Sequence, residues 1–96
     1  MNPALAQHRS TIDQLDLELL RLINQRAQTV AEIARLKQQA ALPVSDEARE
    51  TAVLRSLVER NQGPLRPAGV RRIFGAILAE SRRLQHTLSV EPSCTK

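Results

Sequence analysis

The chain has 96 residues, 14 basic and 10 acidic, with a formal net charge of +4, so it fits one domain and leaves no room for two. Apolar residues make up 42% and charged residues 25%, a globular balance that excludes a disordered chain. One Phe, with no Trp or Tyr, leaves Leu, Ile, Val and Ala to build the core and counts against the aromatic platforms that stack nucleic-acid bases.

In chain order, Met1-Asn2-Pro3-Ala4-Leu5 has neither a basic n-region nor an apolar h-region, so no secretory signal is expected. A first helix is expected from about Pro3 to about Ala41. Asn2 is a fair N-cap and Pro3 suits the first helical position; a later start at Ser10 or Thr11, with Gln14 completing a capping box, would leave Arg9 outside. Ile12, Leu15, Leu19, Leu22, Thr29, Ile33 and Leu36 recur at steps of three and four, a heptad-like seam in which Arg26 takes one place. Roughly 39 helical residues span about 58 Å, far more than a compact domain of this size covers. A second copy lying alongside is the simplest cover, and a two-fold dimer is the commonest such solution. No Pro or Gly interrupts residues 4–41 to let the helix fold back on itself.

A second helix is expected from about Ser45, as its cap, to about Asn61, with Asp46 and Glu47 at its positive end and Gln62-Gly63-Pro64 as the stop. Val53, Leu54, Leu57 and Val58 form its apolar face. A third runs from about Pro67 to about Leu88, with Val70, Ile73, Phe74, Ile77, Leu78, Leu84 and Leu88 as its stripe. Residues 1–90 thus read as one all-α domain, and residues 91–96 as a frayed tail. Cys94 in that tail cannot form an internal disulfide and reads as a free thiol of a reducing, cytoplasmic compartment. No stretch is apolar enough to span a membrane. No run reaches five or six like charges, so neither membrane nor nucleic acid is an expected partner.

The functional signal lies in polar residues placed where apolar ones belong. Arg26 interrupts the first seam, and Lys37, eleven residues on, points the same way. Two cations on one inward face are costly unless something meets them: an anionic ligand, or, for Arg26, a bridge to Asp16, Asp46 or Glu50. Lys37 could also carry its ammonium out to water over an apolar stem. Glu50 is in line with Leu54 and Leu57, and Ser81 and Gln85 continue the Ile73–Ile77 row. Each has a plain reading: Ser81 bonding back to its own helix, Gln85 solvated near a helix end, Glu50 serving the helix dipole. Together they give one bundle interior polar groups from all three helices, which is how bundles build ligand sites. No nucleophilic triad, paired Cys, phosphate loop or metal-ligand spacing is present, so charge, hydrogen bonding and orientation must do any chemistry, and no cofactor or metal is expected.

These residues carry a resemblance. Arg9-x-x-Ile12-Asp13-x-Leu15-Asp16, Leu22-Ile23-x-x-Arg26, Ile33-x-x-x-Lys37, Pro43-Val44-x-Asp46-x-x-Arg49-Glu50, Asn61-x-Gly63-Pro64-Leu65, Ile73-Phe74 and Ser81-x-x-x-Gln85 resemble, in order and spacing, the all-α chorismate mutases of the shikimate pathway over about Leu5 to Leu88. The resemblance implies an intertwined homodimer of three-helix chains with two equivalent sites. It implies a cofactor-free Claisen rearrangement of chorismate to prephenate, on the route to phenylalanine and tyrosine. By motif position, Arg26 would clamp one carboxylate and Arg9 would reach the other from across the dimer. Lys37 and Gln85 would donate to the ether oxygen. Glu50 would accept from the ring hydroxyl, aided by the backbone near Asp46 and Arg49, and Ser81 would contact a carboxylate. Val30, Ile33 and Leu78 would line the walls. A complex with another shikimate-pathway enzyme is a further expectation.

Two residues depart from the usual pattern: Gly75, inside the third helix, and Arg82, which either extends the anion site or faces water. Three other readings stay open at this point. Isochorismate pyruvate lyase shares the scaffold, although Glu50 after Arg49 suits a ring 4-hydroxyl and favours the mutase. A non-catalytic module could retain the pocket to sense chorismate or prephenate. A basic bundle could bind nucleic acid through Arg71, Arg72, Arg82 and Arg83.

Overall fold

Asn2 opens the first helix. Its side-chain oxygen accepts from the N–H groups of Ala4 (3.0 Å) and Leu5 (3.3 Å), and Pro3 follows at the start of the helix. Nothing breaks the backbone after that, and α1 runs over Pro3–Gln39 in the computed structural model, which describes the backbone of residues 2–90 and the side chains of residues 2–88. The alternative start at Ser10 or Thr11 does not occur, because Asn2 already satisfies the first free donors; Arg9 therefore lies inside α1.

α1 ends in a Schellman turn. Leu42 N–H donates to Lys37 O (2.8 Å) and Ala41 N–H to Gln38 O (3.2 Å), with Ala41 in the left-handed region at φ 58°. An Ala there sets its Cβ against a carbonyl at a cost of about 1–2 kcal/mol. Glycine removes that strain but gains freedom in the unfolded chain, worth about 0.4–1 kcal/mol. Ala41→Gly is expected to stabilise the protein by about 0.5 kcal/mol, read as a higher urea midpoint; a lower midpoint would contradict the strain.

α2 spans Glu47–Arg60. Its cap is Asp46 rather than Ser45: the Asp46 carboxylate accepts from Arg49 N–H (3.0 Å), and a full negative charge answers the positive helix end better than a hydroxyl does. The stop also differs from expectation, since no glycine adopts a positive φ. Asn61 instead turns the chain with its own amide, donating to Leu65 O (2.7 Å) and accepting from Gly63 N–H (3.2 Å). α3 spans Pro67–Val90, slightly longer than its apolar stripe. The expected tail, residues 91–96 with Cys94, lies outside the described residues. Gly75 has no atom within 4 Å of where a Cβ would stand, and nothing in the structure explains it.

α3 is the central helix, packed against α1 on one side and α2 on the other. Val30, Ala34, Val70 and Leu78 are buried between them, joined among the described residues by one buried polar side chain, Gln85. Only the C-terminal half of α1 takes part. Its N-terminal half projects, giving the chain extents of 58 × 33 × 15 Å and a radius of gyration of 17.4 Å, where a compact chain of 100 residues has about 13 Å. Leu5, Ile12, Leu15, Leu19 and Leu22 on that projection all lie bare, Leu15 at 56% exposure. No helix among the described residues is long and apolar enough to cross a membrane.

Candidate active site

The three helices enclose a half-open cleft of about 300 Å³, a size at the lower end for small-molecule sites. α1 contributes Arg26, Val30, Ile33 and Lys37, spaced four, three and four residues apart on one face. α3 contributes Leu78, Ser81 and Gln85, and α2 with its cap supplies Asp46, Arg49, Glu50 and Val53. Every site residue expected from the sequence is here except Arg9. Arg9 is exposed on the projecting part of α1, 17 residues before Arg26, or about 26 Å along the helix.

Lys37 stands at the centre of the polar network. Its ammonium donates to Val44 O (2.8 Å) and Gln85 Oε1 (3.0 Å), using two of its three N–H groups. The Schellman turn makes this possible, because it swings Leu42-Pro43-Val44 back over the end of α1 and delivers the Val44 carbonyl. Lys37 therefore does not extend to water. Since Gln85 accepts from Lys37 through its oxygen, its NH₂ is left to donate to a ligand. Gln85 is 9% exposed, not solvated.

Arg26 is not bridged to Asp16, Asp46 or Glu50. Its Nη1 donates to Ser81 Oγ (2.7 Å), and Ser81 Oγ donates to Ile77 O (3.0 Å). Ser81 thus bonds back to its own helix and, with the same oxygen, steadies a guanidinium from another. A neutral partner leaves the Arg26 charge uncancelled and available to an anion. Glu50 is taken instead by Arg82, whose Nη1 lies 2.5 Å from Glu50 Oε1. Arg82 thus joins the site from behind Glu50, outside the cleft lining.

Two lining groups had no role in the sequence reading. Val53 appeared there only as part of an apolar face. The Val44 carbonyl leaves no side-chain signature; Pro43, which turns the chain just past α1, is the only hint of it.

A cleft between packed helices that brings together Arg26, Lys37, Gln85, Ser81, two carboxylates and apolar walls has the chemistry of a small-molecule site in a helical bundle. The chain belongs to the chorismate mutase type II family, whose model matches residues 8–86. It is 40% identical over 86 residues to the bifunctional chorismate mutase/prephenate dehydratase of Neisseria gonorrhoeae, a match covering 90% of this chain and 23% of that relative's length. Among solved structures it is similar to form II of chorismate mutase from Thermus thermophilus (TM-score 0.85, 32% identity, covering 86% of this chain and 94% of that one). It is also similar to chorismate mutase from Helicobacter pylori in complex with prephenate (TM-score 0.85, 28% identity, covering 94% and 98%).

Proposed function

We propose that this chain is a chorismate mutase, an isomerase that rearranges chorismate to prephenate by the Claisen reaction without a cofactor. The observation that carries this reading is Lys37, held by Val44 O and Gln85 Oε1 in a cleft where Arg26 has no carboxylate partner among the described residues. That arrangement suits a dicarboxylate ether whose central oxygen becomes negative. As the C–O bond breaks ahead of C–C bond formation, charge gathers on that oxygen. The remaining Lys37 N–H and the Gln85 NH₂ bind it more tightly than the neutral ether, which lowers the barrier. Arg26 clamps one carboxylate with its planar fork, and Ser81 adds a hydroxyl. Glu50 accepts from the ring hydroxyl, beside Asp46 and Arg49. Val30, Ile33 and Leu78 confine the folded conformer in which the enolpyruvyl carbon meets the ring. A rate gain of about 10⁶ asks about 8 kcal/mol of these contacts together.

The second carboxylate falls to Arg9 of the partner subunit in a homodimer. The bare apolar strip on the first half of α1 supports this reading, since a second α1 laid along it would both cover the strip and carry an arginine toward the far cleft. We assign residues 1–90 to the mutase domain. The lone Cys and the biosynthetic reaction support a cytoplasmic location, and the bifunctional relatives support association with another enzyme of the same pathway.

The direct test is incubation of the purified chain with chorismate and, separately, isochorismate, with products identified. Prephenate from chorismate is expected, without pyruvate from isochorismate. Pyruvate release alone would assign the lyase, and binding without turnover would assign a sensor. Gln85→Glu refines the test. A carboxylate donates only when protonated, and its ordinary value is about 4.3. This variant is expected to be nearly inactive at pH 7.5 and to recover below about pH 5, while a flat pH profile would remove Gln85 from the ether oxygen.

A further inference from the structure

Arg82 is the charged residue of this site that has no part in the reaction as set out above. It follows Ser81 on α3, so two consecutive residues of one helix bond to two different helices, Ser81 to Arg26 of α1 and Arg82 to Glu50 of α2. Arg82 does not line the cleft, whereas Glu50 does. The pair is half-buried, with side-chain exposures of 41% for Arg82 and 23% for Glu50. Glu50 Oε1 is occupied by Arg82, and among the described residues Oε2 has no hydrogen-bond partner.

The charges of the lining show what the pair does. Arg26, Lys37 and Arg49 carry three positive charges, and Asp46 and Glu50 carry two negative ones, so this chain supplies a net of one positive charge, and the partner's Arg9 only just completes the balance for a ligand with two negative ones. A carboxylate is the right acceptor for a ring hydroxyl, but it repels an incoming dianion. A cation behind it, out of reach of the ligand, cancels that repulsion and holds the carboxylate in one orientation while leaving its second oxygen as acceptor.

We propose that Arg82 is a positioning and specificity residue which, acting through Glu50, lets this cleft keep a hydroxyl acceptor without repelling a hydroxylated dicarboxylate. The inference rests on the mutase reading for its substrate, although its ion pair stands apart from turnover.

The test compares wild type, Arg82→Met, Arg82→Lys, Glu50→Gln and the Glu50→Gln/Arg82→Met double variant. KM and kcat are measured for chorismate and Kd for prephenate by calorimetry, with circular dichroism confirming equal helix content. Arg82→Met is expected to raise KM and Kd about tenfold, with kcat within about threefold of wild type, the signature of lost ground-state binding. Arg82→Lys should recover most of that loss. In the Glu50→Gln background the Met substitution should change Kd by less than about twofold, because its target charge is gone. Unchanged KM and Kd in Arg82→Met, the same tenfold loss in the Glu50→Gln background, or a Lys variant as weak as Met would each overturn the proposal. If wild type binds prephenate but does not turn chorismate over, the mutase reading falls and the Kd comparison still decides Arg82. If wild type does not bind prephenate, both fall.

Discussion

Lys37→Ala is expected to lower kcat/KM for chorismate by at least about a thousandfold while leaving the helical fold in place. Losing one donor to a developing oxyanion costs about 3–4 kcal/mol. The effect should be larger here, because the ammonium also bonds Gln85 Oε1 at 3.0 Å and so holds the second donor. Folding should suffer little. The Val44 carbonyl loses one hydrogen bond, worth about 1 kcal/mol, and the Schellman turn beneath it is made by backbone groups alone. Steady-state kinetics beside thermal unfolding separates the two effects. Turnover within tenfold of wild type would remove Lys37 from the chemistry.

Arg26→Ala comes next in size, with an expected loss in kcat/KM of about a thousandfold, or about 4 kcal/mol. A planar guanidinium facing a carboxylate forms two charge-assisted hydrogen bonds, which a single ammonium cannot reproduce. Arg26→Lys should therefore remain at least about tenfold impaired although the charge is kept. Ser81 retains its bond to Ile77 O (3.0 Å), so α3 should stay intact and the loss should appear in substrate handling rather than stability. Full recovery by lysine would reduce Arg26 to a point charge and remove the clamp.

Much of this architecture was written in the amino-acid pattern. Long apolar periods with Pro and Gly only at the joints define three helices, and polar residues on apolar faces mark the cleft, because burying charge without purpose is costly. What escaped were choices between near-equal neighbours and contacts made by the backbone. Ser45 and Asp46 are both good caps, and only the fold shows that the carboxylate meets Arg49 N–H. Gln62-Gly63-Pro64 looked like a glycine stop, yet Asn61 makes the turn with its side chain. The Arg26 partner was sought among carboxylates, by charge, and is a serine hydroxyl. Arg82 was open between anion site and water because helical periodicity gives a residue's direction, not which residue of a neighbouring helix answers it. Arg9 marks the limit of one chain: the family resemblance makes it an expected site residue, and a single copy leaves it exposed on the projecting rod.

Sharing of each site between two copies is tested most directly by mixing two inactive chains. Arg9→Ala and Lys37→Ala, each far below wild type alone, are unfolded together and refolded. Random pairing makes about half the dimers hybrid, and each hybrid holds one site in which an intact Lys37 cleft meets an intact Arg9 from the other chain. About a quarter of wild-type chorismate turnover should return. Activity no higher than the sum of the separate variants, in a sample shown to contain hybrids, would contradict a site built from both subunits.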